Sequence, residues 1–167
     1  QEEQRRRRRE DRQQLATMRT WWLERMRSGP APLQEKMTLF WHGHFATNED
    51  KVRDYRKHLQ LLEVFHRHGT GRFRDLMIGV ARSPGMLSFL DAGVNVKGSP
   101  NENFAREIME LFTMGVGNYA EQDIREAARA FTGWNYVELD FVINADQHDA
   151  GVKPFLGEEA AYDGVGI

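Results

Sequence analysis

Residues 101–117 read NENFAREIMELFTMGVG and residues 119–134 read YAEQDIREAARAFTGW. Phe104, Ile108 and Phe112 fall on one apolar arc at helical spacing, and the second segment has the same helical character up to Gly133. Charged and amide side chains crowd both segments, and polar groups this dense rarely serve packing alone. The stretch therefore predicts two short helices that carry a polar edge.

The same periodicity predicts five more helices on the N-terminal side. Proline and glycine mark their ends, while residues 91–100 hold two glycines and are expected to form a loop. The predicted helices cover about 1–27, 32–41, 51–68, 73–82, 84–90, 101–114 and 121–131. Alternation of apolar residues at 136–143 is the one strand signal. The predicted fold class is mainly α, an irregular bundle of about seven helices with a short β segment near residues 136–144.

Length and composition indicate one module. A chain of 167 residues with 40% hydrophobic content can bury one sizeable core, so residues 1–167 are expected to form a single helical module. No apolar run approaches the length of a membrane span, no signal peptide is visible, and the absence of cysteine fits any compartment. The charged opening and the glycine-rich end suggest a fragment of a larger protein, with the remainder of the polypeptide as the expected packing partner.

Residues 1–12 form the charged start of the first helix, with five consecutive arginines at Arg5–Arg9. Glu2 and Glu3 precede Arg6 and Arg7 by four residues, where opposite charges support a helix. A solvated helix face is therefore the favoured interpretation. A nucleic-acid-binding arm is the disfavoured one, since the net charge of −2 provides no global attraction to phosphates.

The predicted sixth helix has Glu107 at the boundary of its apolar arc. A carboxylate there needs a cation, a metal or several N–H donors, because an unpaired buried charge is costly. One interpretation is structural: Glu102, Arg106 and Glu110 form a surface charge ladder, and Glu107 pairs with an arginine such as Arg129. The other is functional: Glu107 and Glu110 act as ligands or as a general base at a cleft.

His42 and His44 are the second candidate, because neutral imidazoles are common ligands for divalent metals. On a continuous helix two residues two apart diverge by about 200°. Both rings therefore reach one metal only if Gly43 ends the helix. The alternative is that one histidine is a hydrogen-bonded structural residue.

The segment His148–Lys153 follows the predicted strand and has the pattern H-D-x-G-x-K. His148 is a candidate acid or base and Asp149 a candidate ligand. The same residues are also compatible with ordinary turn chemistry around Gly151. Glu63 and His66 have the E-x-x-H spacing of di-iron bundles, but a single copy is a weak signal. No recognised catalytic motif is present, so the sequence leaves enzymatic activity open.

Four segments together resemble a bacterial family, domain-of-unknown-function family 1800 (DUF1800). The segments are Asn101–Gly117, Tyr119–Trp134, WHGHF at Trp41–Phe45 and QHDAGVK at Gln147–Lys153. The motif side chains include Asn101, Glu102, Asn103, Arg106, Glu107, Glu110, Arg129, Trp134 and Lys153. Two positions depart from the family pattern. Ala120 stands where the family usually has a Ser or Thr helix cap, and Gly43 stands where it usually has an asparagine. The resemblance implies a longer, exported protein in the periplasm or outside the cell, and it leaves the biochemical activity open.

Two hypotheses follow. In the first, His42, His44, Glu110 and Asp149 hold a divalent metal in a polar cleft, and Glu107 and His148 move protons in hydrolytic or oxidative chemistry. In the second, the protein is a non-enzymatic binding or scaffold module, and its polar motifs are structural ion pairs made by Arg106 and Arg129.

Overall fold

The computed structural model describes residues 2–167, and seven α-helices lie in that range. They are α1 (Glu2–Ser28), α2 (Pro32–His44), α3 (Tyr55–His68), α4 (Phe73–Arg82), α5 (Pro84–Phe89), α6 (Glu102–Glu107) and α7 (Glu121–Ala130). This confirms the mainly α prediction. The chain divides into two compact units, Gln1–Val80 and Ala81–Ile167, hereafter the first and the second unit.

In the first unit, α1, α2 and α3 pack on a core that includes Leu15, Phe45 and Phe65. Asp54 fixes the start of α3, because its Oδ1 accepts a hydrogen bond from the Arg56 amide at 3.0 Å. The predicted start at Lys51 is therefore four residues too early. The predicted end of α2 near Trp41 is also wrong, since the helix continues through His44.

In the second unit, the core contains Met86, Phe104, Ile124 and Trp134. Asn101 begins α6 by accepting the amide of Asn103 at 3.0 Å. The sequence predicted one α-helix up to residue 114, but a π-helical segment, Ile108–Thr113, follows α6. At the end of this segment the Met114 amide donates to the Met109 carbonyl at 2.8 Å, a five-residue spacing.

Two antiparallel hairpins complete the second unit. The first pairs β1 (Trp134–Val137) with β2 (Asp140–Ile143), in agreement with the β segment predicted near residues 136–144. The second pairs β3 (Lys153–Phe155) with β4 (Glu158–Ala160). Its turn places Leu156 and Gly157 at φ 50° and 86°, the signature of a type I′ hairpin. These two strands were not predicted, because three residues are too few to show an alternation of apolar and polar side chains.

None of the helices in the described part of the chain, residues 2–167, is long and apolar enough to cross a lipid bilayer.

Candidate functional site

Asn101 and Asn103 hold the N-terminus of α6 in place. The side-chain amide of Asn103 donates to the Leu90 carbonyl at 2.9 Å, and the Asn101 amide donates to Asn95 Oδ1 at 2.9 Å. Asn95 is buried, and its Nδ2 donates to the Ala128 carbonyl of α7 at 2.8 Å. Asn95 thus links the loop before α6 to α7. The sequence showed it only as a loop residue.

Arg106 lies at the centre of a half-exposed charge cluster. Its guanidinium contacts Glu102 at 3.0 Å and Glu121 of α7 at 2.7 Å, and it lies 4.0 Å from Glu110. Hydrogen bonding to Glu121 raises the pKa of Arg106, and the same contact lowers the pKa of Glu121. Glu110 also accepts a hydrogen bond from the Tyr119 hydroxyl at 2.5 Å. These contacts tie α6 and the π-helical segment to α7 and the loop before it.

Glu107 is different from its neighbours. Its side chain is half-buried, and within residues 2–167 its carboxylate forms neither a hydrogen bond nor an ion pair. Arg129, its expected partner, instead donates from Nε to Asp149 Oδ2 at 2.8 Å and from Nη1 to Glu126 Oε2 at 2.5 Å. The anticipated Glu107–Arg129 pair is therefore replaced by a pair that joins α7 to the segment after β2.

Both carboxylate oxygens of Asp149 accept hydrogen bonds. Oδ2 faces Arg129, and Oδ1 accepts the Gly151 amide at 2.9 Å. The Arg129 guanidinium is the main reason that the pKa of Asp149 falls to about 2, with the Gly151 amide contributing less. Asp149 is consequently ionised at neutral pH and fully engaged with groups of its own unit.

Thr132 holds the neighbouring backbone. It is fully buried, its hydroxyl accepts the Asp149 amide at 2.7 Å, and its carbonyl accepts a hydrogen bond from Nδ1 of His148 at 2.8 Å. Because a carbonyl can only accept, Nδ1 of His148 carries a proton, and in the neutral form of the ring Nε2 is the acceptor nitrogen. The sequence pattern gave no sign of this role, since Thr132 only follows the predicted helix 121–131.

Lys153 is completely buried, which is rare for a lysine. Its Nζ donates to the carbonyls of Asp149, Gly151 and Tyr162 at 2.6, 2.8 and 2.9 Å. Burial lowers the pKa of Lys153, while the charge of Asp149 opposes that shift. The three acceptors use all three ammonium protons, so this cation closes the segment 149–162 around itself.

The two histidines of α2 point in different directions. Because α2 continues through His44, the side chains of His42 and His44 diverge by about 200° around the helix axis. His42 is half-buried with its ring 5.3 Å from that of Trp22, and desolvation is the main cause of its lowered pKa. His44 is exposed and lies parallel to Phe40, with the ring centres 6.5 Å apart.

The proposed metal ligands are divided between the two units. His42 and His44 belong to the first unit, whereas Glu110 and Asp149 belong to the second. Within residues 2–167, no set of three or more histidine, aspartate or glutamate side chains is placed to hold a metal ion.

The first unit contains a cavity between its helices. It has a volume of about 810 Å³ and is lined by α1, α2 and α3. At its polar end, buried Glu35 accepts Arg25 Nε at 2.8 Å, and Arg25 Nη2 lies 2.8 Å from His66 Nε2. Glu63 and His66, which have the E-x-x-H spacing noted in the sequence, both line this cavity. The cavity itself depends on packing that no local pattern shows.

The comparisons with known proteins are consistent with the motif resemblance. No curated protein and no solved structure shows significant similarity to the chain. A family model described as "Protein of unknown function (DUF1800)" matches residues 1–166, essentially the whole chain. The chain therefore belongs to the DUF1800 family.

Proposed function

We propose that this chain is a non-enzymatic helical binding or scaffold module whose polar motifs are structural. Asn101 and Asn103 fix the start of α6, and Arg106 joins it to α7. Arg129 joins α7 to the segment after β2. In this proposal the motif side chains set the positions of helices and loops, and binding takes place elsewhere on the module.

One observation carries the proposal: Asp149 has no unused carboxylate oxygen. Oδ1 and Oδ2 accept hydrogen bonds from Gly151 and Arg129, and the backbone carbonyl accepts one from Lys153. A carboxyl group whose pKa is lowered to about 2 is a poor general base near neutral pH, and its arginine partner competes with any metal ion for the same oxygen. Asp149 instead serves as the partly buried hydrogen-bonding centre of the segment after β2.

The rival proposal is a metal-dependent enzyme with hydrolytic or oxidative chemistry. Two groups favour it, because Glu107 has no partner among residues 2–167 and His148 presents Nε2 as an acceptor. A bound metal would supply a water of lowered pKa, and Glu107 or His148 would then accept its proton.

Metal analysis of protein purified without an affinity tag separates the two proposals. The scaffold proposal predicts substoichiometric metal in the wild-type protein, in Glu107→Gln and in His148→Gln. One metal per chain that is lost in either variant, with an unchanged melting temperature, would establish the enzyme proposal in its place. A folded protein is required for the comparison, and far-UV circular dichroism provides that control.

We also propose that the protein is exported and that further sequence of the same polypeptide packs against the first unit. The motif resemblance supports the first point. Exposed Leu33 and Phe40 on α2 support the second, because large apolar side chains at 66% and 58% exposure favour burial by a partner. Fractionation of the native producer with an antibody against the chain tests the location: signal confined to the cytoplasm would contradict export.

A further inference from the structure

We infer that the cavity between α1, α2 and α3 binds an uncharged small molecule with an aromatic body and an amide-type polar group. This inference rests on the proposed function, since it names the ligand that a binding module would take. It concerns the first unit alone.

The size and walls of the cavity suit such a ligand. Its volume of about 810 Å³ falls within the range of roughly 300–1,000 Å³ that small-molecule sites occupy. Met18, Trp21 and Trp22 of α1 face Leu59 and Leu62 of α3 across it. These side chains form a mostly apolar lining in which an aromatic ring can stack or pack edge to face.

The polar end of the cavity is held rigidly. Glu35 is 2% exposed and accepts Arg25 Nε at 2.8 Å, while its Oε1 lies 3.3 Å from His66 Nε2. Gln34 Nε2 donates to the His66 carbonyl at 2.6 Å. The Arg25 guanidinium also lies 5.1 Å above the ring of Trp21, which fixes this partly exposed indole at the cavity. A network of this kind is preorganised, so little conformational entropy is lost when a ligand binds.

The same network retains hydrogen-bonding capacity. Within residues 2–167, Glu35 Oε2 and Arg25 Nη1 have no hydrogen-bond partner. One is an acceptor and the other is a donor on the two members of one ion pair. A ligand group that both donates and accepts, such as a primary amide, satisfies both at once.

The charges of the lining favour a ligand without net charge. Arg25 and Arg67 are balanced by Glu35 and Glu63, so the cavity has no formal charge when His66 is neutral. A carboxylate ligand that reached Arg25 would also lie beside Glu35, and an ammonium ligand that reached Glu35 would also lie beside Arg25, because the two groups are 2.7 Å apart. Either arrangement brings like charges together in a partly desolvated site, which selects against both.

The test uses 1-naphthylacetamide as the probe and the carboxylate 1-naphthylacetate as its charged counterpart. Proton–nitrogen correlation spectra report the four tryptophan indoles separately. The amide should shift the Trp21 and Trp22 signals saturably and leave the Trp134 signal of the second unit unchanged. The carboxylate should bind at least tenfold more weakly.

Two exposed threonines of α1 provide a matched pair of variants. Thr17 lines the cavity and Thr20 does not, yet each hydroxyl donates to the carbonyl four residues earlier. Thr17→Trp should obstruct the cavity and weaken amide binding at least tenfold, whereas Thr20→Trp should bind like the wild-type protein. Both substitutions are at exposed positions, so both variants are expected to fold.

Three outcomes would overturn the inference: no saturable shift of Trp21 and Trp22, equal binding of the carboxylate, or equal weakening by the two variants. Such a failure would leave the structural role of the second-unit motifs intact. The structural role of those motifs is tested separately, by the unfolding stability of Asp149 variants.

Discussion

Asp149 links proton binding to the stability of the second unit. The pKa of its carboxyl is about 2 in the folded protein and 3.8 without neighbours. A depressed carboxyl pKa contributes stability that is present above pH 3.8 and is lost as the pH falls toward 2. The difference corresponds to about 2 kcal/mol.

We expect Asp149→Asn to remove this contribution at pH 6 and to show less acid sensitivity in urea unfolding between pH 4 and 2. An acid response identical to that of the wild-type protein would contradict the assignment.

Lys153 is a cation whose three bonds cannot be replaced by a methionine of similar length. Lys153→Met leaves three carbonyls without their donor, so we expect a loss of at least about 3 kcal/mol in the free energy of unfolding. Lys97 is exposed, and Lys97→Met is the control, with an expected change within about 0.5 kcal/mol. Similar denaturation curves for the two variants would show that the buried ammonium is dispensable.

His42 is predicted to stay neutral at physiological pH. Desolvation lowers its pKa first, and the charges of His58 and Arg19 lower it further. A histidine pKa below 6.5 means that the unfolded chain binds the proton more readily, so acidification below pH 6.5 destabilises the first unit. Histidine ring signals in an NMR pH titration provide the measurement. A His42 midpoint at or above 6.5 would contradict the burial described for this ring.

At the scale of elements, the turn at Gly133 fixes how α7 leads into β1. Gly133 has φ 77°. A Cβ there would lie 2.5 Å from the Asn144 carbonyl oxygen and 3.1 Å from the backbone nitrogen of His148. Gly133→Ala should therefore cost more than about 2 kcal/mol. Gly117→Ala is the matched control, because Gly117 has φ 88° but open space around it, and strain alone costs about 1 kcal/mol. Thermal unfolding of both variants gives the comparison, and an equal loss would show that the close contact is unimportant.

Helix positions could be predicted from the sequence because periodicity, prolines and caps are local signals. Pro84 after Ser83, for instance, marked α5 correctly, and Ser83 does cap it. The π-helical segment Ile108–Thr113 could not be predicted, because a π turn and an α turn share the same apolar spacing over six residues. The end of α2 was predicted too early, near Trp41. The helix continues through Gly43 to His44, because a single glycine does not by itself end a helix.

At the scale of the whole molecule, the motif residues could be identified from the sequence but their partners could not. Glu102 and Arg106 are four residues apart on a helix, so their contact follows from spacing. Arg129 and Asp149 are 20 residues apart, and their contact depends on how the β1–β2 hairpin returns the chain toward α7. The cavity of the first unit requires α1 and α3 to face each other, which is also a tertiary feature.

The DUF1800 family model spans both units. The matched residues therefore include those of the ion pairs in the second unit and those that line the cavity in the first. The structural role of the motifs and the ligand site are separate properties of one chain. The variants above change one unit at a time, and each property is therefore tested without disturbing the residues of the other.

A double-mutant cycle on Arg129 and Asp149 measures the central claim most directly. Urea unfolding of the wild-type protein, Arg129→Gln, Asp149→Asn and the double variant at pH 7 gives the coupling free energy between the two side chains. If the motif serves architecture, the coupling is at least about 1 kcal/mol, because Arg129 is the first of several causes that lower the pKa of Asp149. A coupling below about 0.5 kcal/mol would show that this ion pair does not hold the fold together and would contradict the account.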